Sequence, residues 1–284
     1  FLAFGSEDEL DTQAQFLPTH RIGSSLDSGP AGAASATNTI DFKINIRSAY
    51  VSRPGFTLVG ADYSQIEMRI LAQVSGDEDL VKFFKTGMDI HRQVASRVFK
   101  CSPEQISSQQ REWCKRIVYG IVYGMGIQAL SKSLDISTAR GKEFYDSFTG
   151  SFPRVQSWIN GTRAHIRSAH FVRTMLGRVR RITPGGGADA GKYLRQGVNT
   201  TIQGSAADIV KIAMVKIDKD MFDEKVDAKL LLQIHDELIY EVKDSDIDKF
   251  KVIMKRCMEQ AVPHFDVPLV INIESGHSWG LMQP

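Results

Sequence analysis

The 284-residue sequence predicts an α+β fold: a small antiparallel sheet with flanking helices, and an all-helical lobe inserted between two parts of that sheet. Three observations predict it. Strand-like runs are confined to FTLVGADYS (56–64), LLLQIHDELIYEV (230–242) and PLVINIE (268–274), apart from one short basic hairpin. Helical periodicity fills most of what lies between the first two. Helices that follow one another, instead of alternating with strands, argue against a parallel α/β sheet. With 42% hydrophobic residues the chain can bury a large core.

The elements follow in order. Residues 1–39 contain THRIGSSLDSGPAGAASATNT, rich in small and polar residues, and are expected to form a flexible segment. The chain opens on Phe1, not Met, so it reads as a piece of something longer. Patterning begins near FKINIRSAYV. FTLVGADYS reads as a short buried strand with Asp62 near its C-terminal end. Asp77, Asp89, Ser102-Pro103, Ser108 and Ser137 each precede an apolar-periodic run as N-caps or first turns, which predicts about five helices before Gly185. FVRTMLGRVRRIT (171–183) predicts a short hairpin around Gly177. GGGADAG breaks the chain before two further helices, roughly 189–198 and 202–222. A hairpin, a helix at about 245–261 and the final strand complete the order. No internal repeat is present.

Charge and cysteine usage exclude several classes. A net charge of +2 does not by itself announce a nucleic-acid binder. Between Arg163 and Gln196 stand eight Lys or Arg and one acid, Asp189, whereas twelve acids lie between Asp218 and Glu259. That contrast suits a polyanion held against metal-binding carboxylates, and equally two solvated faces. No run of about 18 apolar residues exists to span a membrane. FLAFGSEDEL carries acids where a secretory leader would be basic. Cys101, Cys114 and Cys257 include no CxxC, which argues for a reducing, intracellular setting.

Two local patterns carry chemistry. At the apex of LLLQIHDELIYEV the chain sets His235, Asp236 and Glu237 side by side, although neighbouring carboxylates repel and resist desolvation. If the strand ending at Asp62 is a neighbour of this hairpin, Asp62 and Asp236 project from one sheet edge. Hard divalent cations favour such oxygens, and a bound cation would offset the repulsion. Glu237 is the weaker ligand, pointed away from Asp236 by the strand period. An ordinary surface turn is the alternative. In SQQREWCKRIVYGIVYGMG (108–126), Arg111, Lys115, Tyr119 and Tyr123 recur every four residues, a slowly winding stripe about 18 Å long. Two cations suit a triphosphate and two aromatics suit a base pair. Gly120 and Gly124 cost a helix about 1 kcal/mol each unless something must approach closely. A core-packing aromatic stripe is the alternative, although cations without partners fit poorly in a first helical turn.

ADYSQIEMRILAQVSGD, KRIVYGIVYGMG and QIHDELIYEV, in this order and spacing, resemble the three hallmark motifs of family A DNA polymerases, the DNA polymerase I type. MDIH, GRVRRI, NTTIQGSAADIVKIAM and SGHSWG support the resemblance, which runs from about Phe42 to Gly280. VYGIVYGMG, IQGSAADIVK and SWG look most like the eukaryotic theta and nu branch, which implies a nuclear protein. The resemblance implies a palm (40–72 and 187–284) and a fingers lobe (73–186), with the thumb absent. It also implies template-directed DNA synthesis in repair or replication, with primer–template DNA and dNTPs as partners and no obligate oligomer.

By the same resemblance, Asp62 and Asp236, with the Tyr63 backbone carbonyl, match the ligands of two Mg²⁺ ions, for which Mn²⁺ can substitute. Glu237 matches an auxiliary carboxylate. His91, Arg111 and Lys115 match the groups that hold the triphosphate, with Lys115 also in the catalytic set. Tyr119 stacks on the nucleotide, and Tyr123 takes the templating position in the open state. Glu67 matches the steric gate that excludes a 2′-hydroxyl. Arg195, Asn199, Gln203 and His235 match residues that follow the primer–template; the first three would share a face if their helix were continuous. Departures are Val179 in place of a third arginine of the GRRR run, and Leu194 where a Glu is common. Of the family's Arg-Leu-Ser-Ser-rich segment, only RIGSS (21–25) is a faint echo. Without a thumb, weak DNA binding is expected. A catalytically silent DNA-binding homologue and a two-metal nuclease remain alternatives; the nuclease leaves the 111–123 stripe unexplained.

Overall fold

The computed structural model describes residues 45–183 and 190–284. The readings for residues 1–39, RIGSS and most of GGGADAG therefore lie outside the described residues. Strand β1 (Phe56–Tyr63) leads into seven consecutive helices. These are α1 (Ile66–Ser75), α2 (Glu78–Lys85), α3 (Ile90–Phe99), α4 (Ser108–Val122), α5 (Ile127–Leu134), α6 (Thr138–Ser151) and α7 (Pro153–Ala169). A hairpin of β2 (Phe171–Arg173) and β3 (Val179–Arg181) follows, then α8 (Ala190–Glu224). The chain closes with β4 (Ala228–Ile234), β5 (Glu237–Lys243), α9 (Ile247–Glu259) and β6 (Ile271–Gly276).

The four-stranded sheet has the order β4-β5-β1-β6 and is antiparallel throughout. The first strand in sequence is thus central, held between β5 and β6, which begin 181 and 215 residues after it. Alternation divides β1 cleanly. Val59, Ala61 and Tyr63 join Leu238, Tyr240 and Val242 of β5 in the main core, with Phe250, Ile253, Met254 and Met258 of α9. The buried Tyr63 hydroxyl donates to the Met258 carbonyl at 2.8 Å, which satisfies its one polar atom. Leu58, Gly60 and Asp62 face the other side. There the turn carrying Trp279 packs over Leu58 and Ile239 beside a cavity of about 120 Å³.

The helical block obeys its caps. The side chains of Asp77, Asp89 and Ser137 accept the expected N-terminal amides, and each such cap contributes about 1 kcal/mol. Ser108 opens the first turn of α4, whose cap is Ser107 in a capping box with Gln110. Two expectations require correction. Seven helices, not about five, precede the hairpin, because left-handed residues at Gly76, Lys100, Asp135 and His170 end helices where the apolar period seemed to continue. Residues 190–224 form one helix of 35 residues instead of two. The expected break at 199–201 and the nearby Gly197 and Gly204 all lie inside it.

Tertiary contact explains those glycines. A Cβ on Gly197 would sit 2.3 Å from Ile166 Cδ1, so α7 and α8 cross closely there. Gly124 also stands outside its expected helix. α4 ends at Val122, and Gly124 takes a left-handed φ of +85. A Cβ there would meet Arg195 Cγ at 2.6 Å and Cδ at 2.8 Å, so the end of α4 is seated against the stem of Arg195 on α8. Because both the backbone and the neighbour exclude a side chain, Gly124→Ala is expected to cost about 1–3 kcal/mol. Urea denaturation of the two forms checks this; equal midpoints would contradict the packing described.

Candidate active site

The register of β1 against β5 creates the site. Asp62 lies directly opposite Glu237, so both side chains leave the same face of the sheet. Asp236 immediately precedes Glu237 in a two-residue turn, and its partner in the turn, His235, adopts φ 53. A non-glycine residue there carries strain of the kind that is kept where a turn must aim a side chain. Burial, and then the Asp62 charge, push the Asp236 carboxyl above its usual range. Glu237 is also raised, by burial first, although Trp279 Nε1 donates to its Oε1 at 3.1 Å and pulls the other way. Asn272 Nδ2 donates to Asp62 Oδ2 at 3.4 Å.

Only two residues, Ser64 and Gln65, separate β1 from α1. Gln65 reverses the chain with φ 56, and Glu67 then stands in the first turn of α1. Its carboxylate accepts from the Tyr123 hydroxyl at the end of α4 and from Gln203 on α8. Three elements distant in sequence thus meet on one carboxyl. Burial and then Asp236 push Glu67 up to about 7.

The α4 stripe is real, and its two halves have different partners. Tyr119 and Tyr123 lie 6.2 Å apart between ring centroids. Tyr119 is 6.3 Å from His91, and its hydroxyl is raised by burial, Glu67 and Asp236. At the outer end, Arg111 Nε donates to Asp89 Oδ2 at 2.8 Å and Lys115 pairs with Glu112 at 2.8 Å. Both pairs are substantially exposed and hold little free energy. His91, 3% exposed, is pushed down to about 4 by burial and then by Arg111 and Lys115, so it is neutral near pH 7. Its Nδ1 is buried without a hydrogen-bond partner.

The structure therefore brings Asp62, Asp236, Glu237, Glu67, Tyr119, Tyr123 and Gln203 into one cluster. His91, Arg111 and Lys115 form a second beside it. Among the described residues the cations of the second cluster make no direct contact with the carboxylates of the first. Arg195, Asn199 and Gln203 share one face of the continuous α8. The Asn199 Oδ1 is buried without a partner. Tyr63 turns its side chain into the core, which leaves its backbone carbonyl as the candidate donor. Sequence reasoning missed Trp279, Asn272 and the second role of Asp89, which serves as both N-cap and Arg111 partner. Only the SGHSWG and MDIH segments hinted at Trp279 and Asp89. Most other acids between Asp218 and Glu259 are solvated: Asp220 and Glu224 pair with Arg256, and Asp223 with Lys219.

Among the described residues no three His, Cys, Asp or Glu side chains gather as a metal cage. Close carboxylates, with burial and then the Asp62 charge raising Asp236, nevertheless fit a hard divalent cation, in particular Mg²⁺, which takes one or two carboxylates and completes its shell with water or substrate phosphates.

The model of DNA polymerase family A matches residues 36–281. DNA polymerase I of Chloroflexus aurantiacus is 36% identical over 241 residues, which cover 84% of this chain and 26% of that protein. The thermostable DNA polymerase I of Thermus filiformis is 38% identical over 238 residues, 82% of this chain and 28% of that one. DNA polymerase I of Borreliella burgdorferi is 39% identical over 241 residues, 83% and 26% respectively. Among solved structures, the POL domain of Pol1 from M. smegmatis in complex with DNA primer-template and dNTP aligns with a TM-score of 0.79 and 35% identity, covering 82% of this chain and 42% of that one. The chain spans about a quarter of the length of the curated relatives it matches.

Glu67 gives the cluster a pH signature. Its folded-state value, about 7, stands above its ordinary 4.5, so the folded chain holds the proton more tightly than the unfolded chain. Stability from this group is fully present below about 4.5 and falls as pH rises towards about 7. His91 has the opposite sign: lowered from 6.5 to about 4, it makes stability rise with pH across that interval. In the difference between wild type and Glu67→Gln, His91 cancels. The variant is expected to gain about 1–3 kcal/mol relative to wild type between pH 5 and pH 8. Thermal melts across that range check it, and a flat difference would contradict the assignment.

Proposed function

This chain belongs to DNA polymerase family A, and from that membership we propose that it supplies the palm (40–72 and 187–284) and fingers (73–186) of a template-directed DNA polymerase, transferring a nucleotide from a dNTP to a primer 3′-hydroxyl. The observation that carries the reading is the cross-strand register, which sets Asp62 opposite Glu237, with Asp236 in the adjoining turn near enough to feel the Asp62 charge. Family A polymerases generally use divalent metal ions. Here Asp62, Asp236 and the Tyr63 carbonyl are proposed to hold two Mg²⁺ ions, with Mn²⁺ able to substitute. Such ions, when bound, lower the pKa of an attacking hydroxyl and stabilise a departing pyrophosphate.

The chain's own residues do the rest. Arg111 and Lys115 exchange their weak pairs with Asp89 and Glu112 for the phosphates of the incoming nucleotide, at little cost because those pairs are exposed. Neutral His91 adds a hydrogen-bonding group beside them without further charge. Tyr119 offers its ring face to the nucleotide. Glu67, tied to Tyr123, closes the space a 2′-hydroxyl would need, which selects deoxyribonucleotides. Arg195, Asn199, Gln203 and His235 follow the primer–template, and Glu237 supports the metal site while bonded to Trp279. Repair or replication is the role such chemistry serves.

The theta and nu assignment, and the nuclear location that goes with it, rest on VYGIVYGMG, IQGSAADIVK and SWG alone; the bacterial relatives named above lend them no support. A silent DNA-binding homologue has no need to keep Asp62 and Asp236 together against their repulsion. The test is primer extension with Mg²⁺ by the full-length protein that carries this chain, wild type beside Asp236→Asn. Elongation that falls at least 100-fold in the variant is expected. DNA degradation in place of elongation, or DNA binding with neither reaction, would replace the polymerase reading.

A further inference from the structure

α7 and α8 cross so closely at Gly197 and Ile166 that the residues just before the crossing, Arg163 on α7 and Arg195 on α8, enter one groove. Gly124 marks their meeting point. The position its Cβ would occupy is 2.8 Å from Arg195 Cδ and 3.3 Å from Arg163 Nη2. Both side chains are only partly exposed. Among the described residues no carboxylate or carbonyl accepts a hydrogen bond from either. The neighbouring segment from Pro153 to Thr183 contains no acid at all. Several other arginines have an acceptor: Arg111 has Asp89, Arg178 has Asp208, Arg154 has Glu78 and Arg256 has Asp220. Arg163 Nη2 thus lies against the stem of Arg195, whose own Nη1 stands 3.2 Å from the Cβ position of Gly191 at the start of α8. Two neighbouring arginines without a counter-anion are an arrangement that an anion completes, and a guanidinium fork suits the paired oxygens of a phosphodiester.

The partial negative charge at the C-terminal end of α4 offsets part of the repulsion and keeps the pair folded in place. It also sets the pair next to Tyr123, whose hydroxyl is fixed on Glu67. An anion seated there would lie beside the end of the aromatic stripe, not at its Arg111–Lys115 end. Those two cations lie two to three helical turns away on α4, which separates the pair from the triphosphate-holding group.

Resting on the polymerase reading above, we infer that Arg163 and Arg195 together grip one phosphodiester of the template strand beside Tyr123, making Arg163 a DNA-positioning residue. The experiment measures primer–template affinity of the full-length protein as a function of salt, for wild type, Arg163→Ala and Arg163→Lys. Arg163→Ala is expected to weaken binding about 5- to 10-fold near 50 mM salt and to reduce the slope of log K against log salt by about one. Arg163→Lys is expected to retain most of the slope and only part of the affinity, because a lysine keeps the charge but not the fork. A template carrying a single methylphosphonate, walked one position at a time through the templating region, should weaken wild type at one position and weaken Arg163→Ala less there, because only Arg195 remains to feel the lost charge. Unchanged affinity and slope in a folded Arg163→Ala would overturn the inference while leaving the polymerase reading intact. A raised KM for dNTP with unchanged DNA affinity would reassign the pair to the nucleotide and overturn it as well. Absence of any primer–template binding or extension by wild type would overturn both.

Discussion

The antiparallel pairing of β1 with β5 is the constraint on which the site depends. Asp62 and Glu237 are opposed by main-chain hydrogen bonding, not by attraction between their side chains, which repel. The energy that holds these acids together comes from the other face of the same strands, where Val59, Ala61, Tyr63, Leu238, Tyr240 and Val242 bury themselves against α9. A one-residue slip would turn every apolar side chain outwards, so the core fixes the register and the register fixes the carboxylates. The raised proton affinities of Asp236, Glu237 and Glu67 are the electrostatic cost of that arrangement. A bound cation would relieve it.

The acids and the α4 stripe are joined through Glu67, which receives bonds from both Tyr123 and Gln203. Repulsion from Asp236 reaches Glu67 and Tyr119, so the charge state of the sheet edge is felt at the aromatic end of α4. At the other end, Arg111 and Lys115 occupy weak exposed pairs that anything more strongly anionic can displace. Charge thus runs from negative at the sheet edge to positive at the start of α4, with the tyrosines and neutral His91 between. That ordering suits a substrate with a reactive centre at one end and polyphosphate at the other.

The fold class and the HDE turn were legible because strand alternation and helical period are local signals. The spacing of Asp62, the α4 stripe and the hairpin was legible as a set. What escaped was decided by distant contacts. Residues 199–201 read as a break between two helices, yet α8 runs through them, seated on its neighbours where Gly197 and Gly204 admit Ile166 and Thr174. Gly124 read as a helical residue, yet it terminates α4 because Arg195 occupies the space above it. Lys100, Asp135 and His170 end helices in a conformation more usual for glycine, so nothing in their identity announced a boundary. Trp279 reaches Glu237 across 42 positions of chain, a separation no local pattern encodes.

The two-residue link between β1 and α1 has a consequence of its own. Asp62 and Glu67 belong to a strand and a helix joined with almost no slack, so their separation is set by covalent geometry and core packing. Under the proposed activity, the carboxylate that serves the chemistry and the one that inspects the sugar behave as two marks on a single ruler. Rejection of a ribose would then need no rearrangement of the helical lobe: it is built into the same piece of backbone that performs the transfer.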